Sequence, residues 1–172
     1  MIFDESEAGR FNKQATACKK AGDMPGAIAA LRRVKALEGD LYRETRLAKF
    51  LHHGGQVEAA LVEIQWLLDH SQAQARASFG HQPASVIQKQ HASWCARVHG
   101  DAALICKQAK RPELQAQHEQ LQERYASIRS RLKPLAEADR KAKFVAWEEA
   151  KQQGPRAMKA YLDAHRAVIK KG

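Results

Sequence analysis

His91, Cys95 and His99 recur every four residues, with His81 upstream and Cys106 downstream. Imidazole and thiolate groups are zinc ligands, and one helix can offer an i,i+4 pair of them to an ion. Eight residues of helix rise about 12 Å, so His91 and His99 cannot share a single metal. A site would need Cys95 and His99 with Cys106 folding back, and no Cys-x-x-Cys pair supports it. The same stretch reads more simply as core, with Trp94, Cys95 and Val98 buried. His52-His53 precede Gly54-Gly55 and suit a helix C-terminus, where the dipole favours positive charge. His118-Glu119 lacks the second histidine of a zincin helix. Glu148 and Glu149 are adjacent, so on a helix they point to different sides and cannot face each other as acid and base. There is no phosphate loop, dinucleotide fingerprint or nucleophile elbow. The expectation is a non-enzymatic chain with no catalytic residue, no metal and no cofactor.

Elements that would carry any site are expected to be helices. Of 172 residues 31 are alanine, while Val, Ile and Thr together make sixteen. Alanine loses nothing in a helix, whereas β-branched chains stiffen there. No segment alternates with a period of two, so no strands are expected. The length suits one domain or two small ones. No apolar run approaches the roughly 20 residues that span a bilayer. The opening Met1–Gly9 stretch is acidic, unlike a signal or transit leader. Three cysteines are too few and too odd in number for a disulfide scaffold, which suggests a reducing, cytoplasmic location.

Prolines and glycines divide the chain. Pro25, Pro83, Pro112, Pro134 and Pro155 each suit a first helical turn, where the missing N–H costs nothing. Glycines at 22, 39, 54–55, 80, 100 and 154 suit helix ends, and an Asp after Gly can cap the next helix. The expected helices are 6–21, 24–38, 41–53, 56–70, 84–99, 101–110, 112–132, 134–152 and 155–170. That is nine if Gly100 breaks a helix and eight if it only kinks one. Residues 71–83 lack an apolar stripe and read as a linker or an extension of the preceding helix. This places an N-terminal segment at 5–72, a linker at 73–83 and a C-terminal segment at 84–172.

The first segment repeats itself at an offset of 33 residues. Ala15 meets Ala48, Cys18 meets Leu51, Gly22 meets Gly55 and Ala27 meets Ala60. Ile28 then meets Leu61, Leu31 meets Ile64 and Val34 meets Leu67. Each copy is a helix, a glycine turn and a second helix, with small residues where the helices would touch. Residues 9–72 thus resemble the tetratricopeptide repeat, and Ala-Gly-Asp-Met-Pro-Gly-Ala-Ile is close to that family's turn. The family's first aromatic is Phe11 in one copy but Glu44 in the other. A generic antiparallel helical bundle with alanine contacts would give the same signal. The resemblance implies a concave groove lined by the first helix of each pair, at Asn12, Thr16, Lys19, Tyr42, Thr45, Lys49 and His52. Those positions are polar and mildly cationic, suiting a peptide with an acidic side chain or a free carboxylate. The alternative is that they are simply solvated.

The second segment is basic. Residues 1–72 carry ten Lys/Arg and ten Asp/Glu, whereas 73–172 carry nineteen and nine. Seven basic residues fall between 124 and 143: Arg124, Arg129, Arg131, Lys133, Arg140, Lys141 and Lys143. They could follow a phosphate backbone or an acidic protein, or serve solubility alone. No DNA-reading motif and no aromatic run accompanies them. A heptad places His118, Tyr125 and Leu132 at a, and Leu114, Leu121 and Ile128 at d. Because Pro134 follows, the expected partner of helix 112–132 is helix 134–152 as an antiparallel hairpin. A homodimer seam along 112–132 is the alternative.

The expected architecture is all-α: antiparallel helix pairs continuing into a basic helical bundle. The expected function is a protein-interaction module, an adaptor, scaffold or chaperone, holding a peptide or helix of an acidic partner, with no membrane contact. The rival is a nucleic-acid-associated protein using the basic helices.

Overall fold

The computed structural model describes residues 6–170, with side chains as far as His165. Met1–Glu5, which include most of the acidic opening stretch, and the final Lys171–Gly172 lie outside the described residues. Seven α-helices follow one another: α1 (Glu7–Lys20), α2 (Met24–Glu38), α3 (Arg46–His53), α4 (Val57–Phe79), α5 (Ala84–Gln108), α6 (Pro112–Gln152) and α7 (Pro155–Lys170). A short 3-10 turn, Gly39–Leu41, precedes α3, and no strand occurs among the described residues. Each helix packs on the next, and α3 also meets α5. The chain is all-α as composition requires, with fewer and longer helices than its punctuation suggests. Among the described residues no helix is long and apolar enough to cross a membrane.

Local chemistry explains the first helices. Ser6 caps α1 by accepting the Gly9 N–H at 3.1 Å, and Asp23 caps α2 by accepting that of Gly26 at 2.8 Å. The turns after α1 and α3 are built alike. Gly22 has φ 78° and Gly55 has φ 76°, where only glycine avoids a Cβ clash. Past each, the next N–H returns five residues, Asp23 to Cys18 O at 2.9 Å and Gln56 to Leu51 O at 2.8 Å. The turn after α5 has this form too: Arg111 N–H donates to Cys106 O at 2.9 Å, with Lys110 in the left-handed slot at φ 56°.

Burial follows the repeat. Ala15, Ala27, Ala48 and Ala60 are all fully buried, with Leu31, Val34, Ile64 and Leu67 packed around them. The core does not stop at residue 72. Val98, Ala102 and Ile105 of α5 belong to the same apolar cluster. Full burial of one leucine contributes about 1.5–3 kcal/mol, so α5 is bound to the first four helices by ordinary hydrophobic packing.

Three expectations are corrected. Gly100 neither breaks nor ends a helix, because α5 runs unbroken from Ala84 to Gln108. A Cβ at Gly100 would meet only the end of the exposed Gln122 side chain, at 2.9 Å, which can swing aside. Pro134 does not start a helix; it stands exposed inside α6, which is 41 residues long. An interior proline costs about 3 kcal/mol, and here the helix is held to α5 on both sides of it, by Tyr125 against His99 and by Ser85 Oγ donating to Asp139 Oδ2 at 2.5 Å. The partner of 112–132 is therefore α5, not 134–152, and the heptad residues Leu114, His118, Leu121, Tyr125, Ile128 and Leu132 are half-buried. Leu135 and Val145, expected in that hairpin, remain exposed. Finally, of the two readings of 73–83, helix extension holds for most of it and the linker does not. α4 continues to Phe79, and its buried stripe there is Ser71, Gln74 and Ala75, too polar to register as periodic hydrophobicity.

At about 1.5 Å per residue, α6 is some 60 Å long and α5 about 37 Å, so the end of α6 overshoots. α7 turns back on that end, where the Tyr161 hydroxyl donates to Lys143 O at 3.3 Å.

Candidate functional site

Of the positions expected to line a groove, those on α1 face solvent and those of the second pair are wholly or partly covered. On α1, Asn12 is half-exposed and Thr16 and Lys19 are exposed. Arg46, at the start of α3, reaches across and donates to Asn12 Oδ1 and Thr16 Oγ1, both at 3.0 Å. Arg46 was not among the expected positions. Its guanidinium carbon and the Lys19 ammonium stand over the Phe50 ring at 5.5 and 4.8 Å. The furrow between α1 and α3 encloses about 410 Å³, lined by Asn12, Lys13, Thr16, Ala17, Lys20 and Arg46, with no carboxylate in this lining among the described residues.

Tyr42 and Thr45, expected in the open, are buried. The Tyr42 ring lies 6.1 Å from Trp66, and burial pushes its hydroxyl well above the usual tyrosine range. Lys49 pairs with Asp101 Oδ1 at 2.8 Å, and His52 Nε2 lies 2.8 Å from Gln108 Oε1. Both partners lie on α5. Side chains expected to receive a ligand thus receive α5 instead.

A polar cluster occupies the seam of α4, α5 and α6. His91 Nε2 lies 3.0 Å from Ser71 Oγ and 3.3 Å from Cys95 Sγ. The Ser71 hydroxyl donates to Leu68 O at 2.6 Å, so His91 does not draw that proton and Ser71 is not a prepared nucleophile. Burial raises the Cys95 thiol above its ordinary value, which keeps it protonated and unreactive. One helical turn on, His99 Nδ1 and His118 Nδ1 are 3.0 Å apart, with His99 stacked on Tyr125. Burial, then the His118 charge, holds His99 down at about 4, and burial lowers His91 and His118. Cys95 faces His91 and Ser71 while His99 faces His118. Among the described residues no three His, Cys, Asp or Glu side chains converge as metal ligands.

The seven basic residues lie on α6, and all but Lys143 are exposed. Lys143 is half-buried and donates to the His81 carbonyl, and burial lowers its pKa. Spacings of four and seven align Arg129, Lys133 and Arg140 in one row, while Arg124 and Arg131 form another across the α5-facing stripe. The patch is two rows, not one face.

A second cleft, which the sequence did not signal, opens between α4 and α5 beside the start of α3. It holds about 370 Å³ and is lined by residues including Arg43, Glu44, Gln74, Phe79, Trp94 and Arg97. Its parts come from three separate elements, and only folding brings them together. Compared with protein-family models, with curated proteins and with solved structures, the chain has no match in any of the three.

Proposed function

We propose that the chain is a non-enzymatic protein-interaction module that holds an acidic segment of a partner in the furrow between α1 and α3. The observation that carries this reading is Arg46 fixed across the two helices, beside Lys20 in the same furrow. Two of its five donors are used by Asn12 and Thr16, leaving others to receive a carboxylate. Holding the guanidinium in place beforehand reduces the entropy lost on binding. The resemblance to tetratricopeptide repeats supports the same reading, as does the absence of a prepared nucleophile at Ser71 and Cys95. Cytoplasmic residence fits the three free thiols.

A fluorescent Asp/Glu-rich peptide titrated against the full chain tests it. Lys20→Glu should weaken binding by about tenfold or more, as loss and reversal of a charge-assisted contact implies. Unchanged affinity would remove the furrow from consideration. The second reading, nucleic-acid binding, rests on the exposed row Arg129, Lys133 and Arg140. Single-stranded DNA binding with a steep salt slope, lost when all three become Gln, would favour it instead.

A further inference from the structure

α3 is eight residues long whereas α4 has 23, so α4 and α5 run on past the start of α3 and their seam is left uncovered there. The cleft of about 370 Å³ is the result, a size within the range of small-molecule pockets. It shares no residue with the α1–α3 furrow.

Its two cations are already oriented. The Arg43 guanidinium lies 6.0 Å from the Phe79 ring centre and donates to Ser78 Oγ at 3.1 Å. The Arg97 guanidinium lies 4.5 Å from the ring centre of Trp94. Each keeps N–H groups for an oxyanion, which guanidinium binds in a planar, two-pronged manner. Glu44 contributes the opposite charge to the same wall.

Two polar groups of the lining lack partners. Gln74 is 2 % exposed and gives its amide N–H to Tyr42 O, leaving Oε1 without a donor. The Trp94 indole N–H has no acceptor. Unpaired buried groups of this kind are uncommon and carry a desolvation cost until something satisfies them.

A simple anion would meet Glu44, and a simple cation would meet two arginines. A compact zwitterion satisfies both signs. We infer that this cleft binds a free α-amino acid with an apolar side chain. Its carboxylate pairs with Arg43 and Arg97, its ammonium with Glu44 and the Gln74 carbonyl, and its side chain lies against Ala75 and Phe79.

Calorimetric titration of the full chain with leucine, valine, methionine and phenylalanine tests this, alongside N-acetyl-leucine and leucinamide. The expected result is saturable binding of at least one free amino acid, about tenfold or more weaker for both blocked forms. Arg97→Gln, Arg43→Gln and Glu44→Gln should each weaken binding by a similar factor, with helicity checked by circular dichroism. Arg129→Gln on α6 should leave it unchanged. Glu44 is exposed, so its variant keeps the test open if an arginine variant fails to fold. No binding by any free amino acid would overturn the inference. So would equal binding of N-acetyl-leucine, which would make the cleft a reader of peptide C-termini, or indifference to all three substitutions.

Discussion

The contact between the first two helix pairs and the seam between α5 and α6 do the same mechanical task with opposite chemistry. In the first, Ala27, Leu31, Val34, Ala60, Ile64 and Leu67 exclude water with hydrocarbon, and the Lys35–Glu63 ion pair at 2.7 Å adds a polar contact between α2 and α4. In the second, Ser85, His99, His118, Tyr125 and Asp139 meet across the helices, and Leu114, Leu121, Ile128 and Leu132 of α6 are only half-buried. Hydrocarbon burial does not depend on pH, whereas a buried imidazole pair does. The first region thus owes its stability mainly to shape, with Glu63 as a titratable member, whereas the second gathers several titratable side chains at one seam.

The largest effect should come from the apolar side. Leu67 is fully buried, and Leu67→Ala should lower unfolding free energy by about 2–5 kcal/mol through lost transfer energy and a residual cavity. Urea titrations at pH 7 and pH 5 should give the same loss. A cost under 1 kcal/mol would mean the contact is looser than its burial implies.

The polar seam should supply the pH dependence. The folded pKa of His99 is about 4, below the ordinary 6.5, because burial and then the His118 charge oppose protonation. The unfolded chain therefore takes up the proton first as pH falls. Stability attributable to His99 is complete above pH 6.5 and is lost progressively from there down to about 4. The total loss is about 3 kcal/mol, since each pKa unit is worth about 1.4 kcal/mol. His91 and His118 are lowered by burial and act with the same sign. Glu63, raised by burial despite its bond from Lys35, acts with the opposite sign. His99→Phe keeps a ring for Tyr125 to stack on and should flatten the limb of the stability profile between pH 6.5 and 4. A profile identical to the parent's would assign the acid sensitivity elsewhere.

The smallest effect concerns the turns. Lys110 holds the left-handed position that Gly22 and Gly55 hold in the other two. Lys110→Gly should relieve the Cβ clash and stabilise the chain by about 0.5–1 kcal/mol, less the entropy that glycine adds to the unfolded chain. Thermal melts of the pair would show it, and a destabilised variant would mean that the α5–α6 turn carries no strain.

Legibility in the sequence followed this division. The burial of Ala15, Ala27, Ala48 and Ala60, Asp23 as a cap and the glycine turns at 22 and 55 could all be read, since each follows from local periodicity or turn chemistry. Gly100 and Pro134 misled, because their local preferences were overridden by the long contact between α5 and α6. The extension of α4 was one of two readings left open for 71–83, because the buried Ser71 and Gln74 give no apolar stripe to decide it. The turn at 110 was marked by Pro112, although no glycine announces the left-handed residue, Lys110. Among the groove residues, Asn12, Thr16 and Lys19 were placed correctly as solvent-facing, and Arg46 was missed although it adjoins two of them. Lys49 and His52 could not be placed without knowing that α5 returns over α3, nor Tyr42 without knowing that Trp66 and Gln74 of α4 meet it.

Taken alone, the amino-acid order determined that this chain is helical, where its first four helices turn, and which small side chains let them approach. Those properties rest on backbone geometry and hydrophobic periodicity, which act over a few residues. Tertiary structure alone decided that α6 runs through a proline, that histidines from different helices face each other, and that Arg43, Gln74 and Arg97 share one cleft. These depend on which long helix finds which partner, and that choice is made by the summed packing of whole helix faces.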